Sequence, residues 1–152
     1  WKLSRAVFTK HKRRQGRLSM VFVLRETIIR LVEKAVLNRD ILSVTYQHKG
    51  DGKIVSHRIA PFDIGTTNPA NRERFKNNLY AFSFTHLDDT TNQPDPKVCI
   101  FNIGQFLEAR ATGEVFDEAD LAVRNLHATG YDYRTCRFAL MPQRNWFGRS
   151  GI

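Results

Sequence analysis

The residues of this chain best suited to chemistry are cations spaced to hold phosphate. Lys10, Lys12, Arg13, Arg14 and Arg17 crowd one short N-terminal stretch, where each phosphate contact would release condensed counterions and make binding fall with salt. A second group, Arg72, Arg74 and Lys76, surrounds Phe75 and is flanked by Asn71, Asn77 and Asn78. Cations, amides and an aromatic together suit phosphate contact plus base stacking, although solvated loops carry the same composition. Arg58 stands alone in a strand-like run. Alternation puts it on one face with Ser56 and Ala60 and puts His57 and Ile59 on the other. Its small neighbours leave the guanidinium uncrowded, either as an ordinary solvent-facing arginine or as a fork for phosphate or carboxylate. Tyr46 is expected across the same hairpin, packing the interior or stacking on a base.

Catalytic spacings are missing. The five histidines, His11, His48, His57, His86 and His127, are scattered, and none has the spacing of a zinc pair. There is no Gly-x-Ser-x-Gly elbow and no supported Cys/His pair. Asp117-Glu118-Ala119-Asp120 spells a helicase tetrapeptide, but no phosphate loop accompanies it, because Gly52-Lys53 is followed by Ile54. These acids are adequately explained as the start of a helix. The reading is therefore non-enzymatic, with no cofactor and no metal.

The elements that must position these residues follow from charge and periodicity. A chain of 152 residues suffices for one core. Its net charge of +9 is concentrated: residues 1–19 supply seven positive charges and no acid, leaving a body of 17 basic and 15 acidic side chains. We divide the chain into a basic arm over 1–19, one domain with flanking helices over 20–140, and a tail over 141–152. Leu3, Val7 and Phe8 are spaced to dock the arm on the body or on a second copy. Trp1 is not a translational start, which implies processing or truncation ahead of it. Cys99 and Cys136 lie in apolar surroundings without metal spacing, as free buried thiols of a reducing cytoplasm would. No apolar run reaches the ~20 residues of a membrane span.

From Val21 to Leu37, Phe22, Leu24, Ile28, Leu31, Val32, Ala35 and Val36 recur at helical intervals, and Asn38-Arg39-Asp40 ends the helix. A first strand, Ile41 to Gln47, turns through Lys49-Gly50-Asp51-Gly52-Lys53 into a second, Ile54 to about Ala60, stopped by Pro61. A loop from Gly65 to Asn78 precedes the strand Leu79 to Phe84, which is apolar on both faces. A polar loop, His86 to Lys97, leads to Val98–Ile103 and Phe106–Ala111, bent apart at Gly104. A short helix from Asp117 to about His127 and a strand from Arg134 to Leu140 complete the body. In the tail region Tyr131, Tyr133, Phe138, Trp146 and Phe147 interleave with Arg134, Arg137, Arg144 and Arg149. The class is mainly β (α+β), a small barrel with an N-terminal amphipathic helix and a short C-terminal helix.

Tyr46 closing the first strand, Arg58 ahead of Pro61, Leu79 and Ala81 opening the third, and Thr112-Gly113-Glu114-Val115-Phe116 at the end resemble the WYL domain. Asn77 and Asn78 replace that family's Trp-Tyr, and Cys99 to Phe106 replaces its usual basic run. The resemblance covers about half the chain. It implies an SH3-like or Sm-like barrel that senses ligand in bacterial transcription regulators and CRISPR accessory proteins, with Arg58 lining the ligand surface. Such domains usually follow a helix-turn-helix, for which no room exists between Trp1 and Asp40. The expected partner is nucleic acid or a nucleotide-type ligand, held by the arm, the Arg74 loop, Arg58 and Tyr46. A protein-interaction or homodimerisation module is the second reading.

Overall fold

The computed structural model describes residues 24–65, 78–117, 131 and 136. A helix, α1, occupies the described residues 24–38. The strands are β1 (Asp40–Gln47), β2 (Ile54–Gly65), β3 (Asn78–Ser83), β4 (Lys97–Asn102) and β5 (Phe106–Val115), with a 3-10 turn over Ile103–Gln105 between the last two. They form one antiparallel five-stranded sheet in the order β4-β3-β2-β1-β5. Mainly β with one helix is thus the class observed among the described residues. The arm, the Arg74 loop, the second helix beyond Asp117 and the tail over 141–152 expected from the sequence lie outside the described residues; of the expected final strand only Cys136 is described, and it forms an antiparallel bridge with Gly65.

The helix earns its place through one stripe. Ile28, Val32, Ala35 and Val36 are buried, a spacing that brings all four onto one side. That stripe meets Leu42, Val44, Ile59, Ile64, Leu79, Ala81, Phe101, Ile103 and Phe106, which form the first core. Each large side chain buried here contributes about 1.5–3 kcal/mol relative to exposure. Leu24, read from its spacing as part of the apolar stripe, is instead 54% exposed. Arg39 ends the helix with a φ of 61°, the left-handed turn usual after a C-terminus. Its carbonyl accepts from the Phe116 amide at 2.9 Å, tying the end of α1 to the end of β5.

The opposite face of the sheet carries a second core of Ile41, Ala60, Phe62, Tyr80, Phe82, Val98, Phe116, Tyr131 and Cys136. This explains why β3 is buried from Leu79 to Ser83: it is covered on both sides.

Pro61 does not stop β2, contrary to the expectation; the strand continues to Gly65. A proline lacks the donor that an interior strand needs, and sheets accept it at bulges. Here the register slips just after it, from Pro61↔Ala81 to Asp63↔Tyr80. The extra residue, Phe62, breaks strict alternation, and Phe62 and Asp63 both serve the second core. Tyr131 meets both: its ring packs edge-on to Phe62 at 5.4 Å between centroids, and its hydroxyl donates to Asp63 Oδ2 at 3.0 Å. Asp63 is wholly buried, and its Oδ1 accepts the Ile64 amide at 2.9 Å.

The remaining differences concern ends. β5 runs to Val115 rather than Ala111, through Gly113 at a φ of 84°, beside a second register shift against β1 between Asp40 and Leu42. The bend expected at Gly104 is the 3-10 turn, capped by the Asn102 side chain accepting from the Gly104 amide at 2.9 Å. Gly52, with a φ of 70°, supplies the left-handed residue that the β1–β2 turn requires.

Candidate functional site

The pairing of β1 with β2 sets Leu42 opposite Ile59, Val44 opposite His57 and Tyr46 opposite Val55. Partners directly opposite share a face, so His57 and Tyr46 belong to the helix-covered side. Ser43 opposite Arg58 belongs to the other side. The expectation that Tyr46 stands near Arg58 is therefore corrected: the two lie on opposite faces.

Arg58 is not uncrowded either. Its Nη2 pairs with Glu114 Oε2 at 2.7 Å, and its guanidinium lies 4.9 Å from the centre of the Phe84 ring. Its backbone amide donates to Thr85 Oγ1 at 2.9 Å, and its carbonyl accepts from the Phe84 amide. Alternation foresaw its small strand neighbours; Glu114 arrives from β5 and Phe84 from beyond β3. Of the other expected site residues, Arg72, Arg74, Lys76, Lys10, Lys12, Arg13, Arg14 and Arg17 lie outside the described residues.

A cleft of about 450 Å³ opens where the β1–β2 turn faces the segment joining β3 to β4. Its floor is His57 and Phe101, whose rings meet edge to face at 5.2 Å. Behind His57 lies Ser83, wholly buried, with Oγ 3.2 Å from His57 Nδ1. A hydroxyl sealed beneath a ring cannot reach a substrate, so this Ser-His contact orients the imidazole. No partner among the described residues reaches His57 Nε2. Tyr46 walls one side; its ring makes edge contacts with His48, Phe101 and Phe106, and its hydroxyl donates to Gln105 Oε1. Lys53 and His48 come from the β1–β2 turn. Among the described residues Lys53 has no ion-pair partner.

The facing wall is a pinned loop. Asp88 Oδ1 accepts from the Thr90 and Thr91 amides and the Thr91 hydroxyl at 2.7–3.0 Å. Those bonds, the Thr91 amide foremost, hold the Asp88 carboxyl below its usual range. Asp88 and Gln93, and His86 and Asp95, are joined through their backbones at 2.9 Å, and Leu87 bridges Pro94. The stretch expected as a plain polar loop is thus a small hairpin that presents His86, Asp88 and Asp89 to the cleft. His86 Nδ1 rests 3.1 Å from the Asp95 carbonyl, while Asp95 Oδ2 holds Lys97 Nζ at 2.8 Å.

Burial drives the His57 pKa below its ordinary value, with the charges of His86 and His48 adding to the effect. Burial also raises the Tyr46 phenol and pushes the Cys99 thiol up to about 11, so Cys99 stays a neutral thiol and a poor nucleophile. Cys99 and Cys136 are not joined in a disulfide, as expected; Cys136 is buried, while Cys99, expected to be buried too, is half-buried. Among the described residues no group of three or more His, Cys, Asp or Glu could hold a metal ion. None of their helices is long and apolar enough to cross a membrane.

The three histidines come from three separate segments, and the sequence reading left them scattered. One signal was present: the alternation that sets His57 on the face of Ile59 places an imidazole at the edge of the core. The arrangement can hold a flat ring against Phe101 and Tyr46 while Lys53 and the imidazoles meet an anion. No protein-family model matches the chain, and no match was found among curated proteins or solved structures.

Proposed function

We propose that the chain is a non-enzymatic, cytoplasmic regulatory domain of WYL type that binds a nucleotide-type ligand, free or as the end of a nucleic-acid strand. The cleft carries this reading, because it sets aromatic floor and wall beside an unpaired lysine and three imidazoles. Its volume suits one base and its sugar-phosphate rather than a run of bases. The arm and the Arg74 loop would add phosphate contacts for a strand.

Two observations support the barrel reading: β2 carries a bulge, a feature that bends and twists a strand, and the three-residue turn joining the two edge strands leaves Phe101 of β4 and Phe106 of β5 6.0 Å apart between ring centres.

Calorimetric titration with AMP and with a short 5′-phosphorylated single strand tests the reading. Both should bind, the strand losing affinity as salt rises, and Lys53→Ala should weaken AMP about fivefold, the loss of roughly 1 kcal/mol of charge contact. Absence of binding by both probes would overturn it.

One observation favours a second reading as an interaction module. Edge strand β5 exposes Leu107 at 45% and Val115 at 67% beside an edge that pairs only with β1 among the described residues. A concentration-dependent dimer in ultracentrifugation, lost in Leu107→Lys, would support it.

A further inference from the structure

The cleft contains no arginine among the described residues that line it, which is unusual for a phosphate seat. Among the described residues of the lining the one permanent cation is Lys53, set against Asp88 and Asp89 on the rim. With neutral histidines the lining therefore has a formal charge of −1, a poor host for an anion. A proton on His57 raises the formal charge of the same lining to 0. The cleft's welcome for an anion therefore depends on that imidazole.

We propose that the cleft takes up its anionic ligand together with a proton, and that His57 is the residue that receives it, so that affinity for a nucleotide phosphate rises as the solution becomes more acidic. This rests on the nucleotide reading above. Protonated His57 would donate through Nδ1 to Ser83 Oγ, its neighbour at 3.2 Å, and through Nε2 to a phosphate oxygen. The proton comes from solvent; no bond to the ligand forms or breaks.

The groups around His57 support this assignment. β1 contributes Tyr46, a phenol held neutral by burial. The β1–β2 turn contributes His48 and Lys53, and the hairpin after β3 contributes His86, Asp88 and Asp89. Behind His86, Asp95 Oδ2 holds Lys97 Nζ at 2.8 Å and lies 3.6 Å from His86 Nδ1. Besides Lys97, β4 adds the neutral thiol Cys99, and from α1 the Arg25 guanidinium lies beside Gly104. Among the described residues no carboxylate hydrogen-bonds to His57, and only the Ser83 hydroxyl stands at hydrogen-bond distance from its ring. Burial and the neighbouring imidazoles hold it neutral, and an anion in the cleft is the missing counter-charge.

The test is calorimetry on the whole chain from pH 5.5 to 8, at constant ionic strength. The main probe is a dinucleotide, whose phosphodiester keeps a single charge throughout; a monoester takes up its own second proton near pH ~6 and would blur the profile. Affinity should rise on acidification, by up to about tenfold per pH unit for each proton taken up. Repeating the titration in two buffers of different ionisation enthalpy should show proton uptake on binding. AMP and a 5′-phosphorylated strand, run beside it, tell free nucleotide from strand end. His57→Gln, which keeps a hydrogen-bonding side chain over Ser83, should flatten the profile; Lys53→Ala should lower affinity at every pH and leave the slope intact.

Binding with a flat profile and no proton uptake would overturn the proton linkage and leave the nucleotide reading standing. No binding of any probe at any pH would overturn that reading itself. An unchanged slope in folded His57→Gln would remove His57 as the receiving group. Should that variant not fold, the two-buffer measurement on the unaltered chain decides the linkage alone.

Discussion

Replacing Arg58 separates structural from ligand roles, because this residue has two partners of known geometry and lies across the sheet from the cleft. The ion pair with Glu114 is close, at 2.7 Å, but its side chains are 38% and 58% exposed. Unit charges about 4 Å apart in water attract by about 1 kcal/mol, and ordering two long side chains returns part of that, so about 0.5 kcal/mol remains. The contact with Phe84, 4.9 Å from the ring centre, adds about 0.5–1 kcal/mol at such an exposed site. Arg58→Ala should therefore lower unfolding free energy by about 1–1.5 kcal/mol, with a small further loss from its aliphatic stem. A double-mutant cycle with Glu114→Gln, measured by urea denaturation, should return a coupling near 0.5 kcal/mol that vanishes at high salt, where the screening length falls to about 3 Å. AMP binding should be unchanged in Arg58→Ala. A tenfold loss of AMP affinity with unaltered stability would refute this reasoning and return Arg58 to the ligand site.

Three further outcomes follow from single contacts. With its thiol raised from 9.0 to about 11, Cys99 should react with iodoacetamide at pH 8 about 100-fold more slowly than a free cysteine peptide; a comparable rate would mean that the residue is not enclosed. His57, whose folded pKa lies below the unfolded 6.5, leaves the unfolded chain holding more protons between those two values, so its contribution to stability is lost as pH falls through 6.5 toward the folded value. Guanidinium titrations should show a shallower acid loss in His57→Gln, and an equal loss would place the titration elsewhere. Tyr131→Phe removes the 3.0 Å bond to buried Asp63 and should cost about 1–3 kcal/mol in denaturation; a loss of a few tenths would mean that the ring alone anchors the segment.

Elements whose signal is local were legible in the sequence. The stripe Ile28, Val32, Ala35 and Val36 announces α1, and Ile41 to Gln47 announces β1. The continuation of β2 past Pro61 was not legible, because only the partner strand reveals the bulge that tolerates a proline there. The cleft was hidden for the same reason. His48, His57 and His86 converge through the β2–β3 pairing and through a hairpin built on the Asp88 turn, neither of which leaves a fixed spacing. Arg58 shows the opposite failure: its own strand neighbours are small as read, but Glu114 comes from 56 residues away.

The extra residue Phe62 gives β2 two counting frames, one before it and one after. Deleting it would restore simple alternation and turn one half of the strand over relative to the other, carrying either Ile59 or Ile64 out of the helix-facing core. No single substitution does this. β2 therefore resembles a sentence that survives misspelling but not a dropped letter: variants that change residue type should outnumber, among folded survivors of random mutagenesis, those that change its length by one.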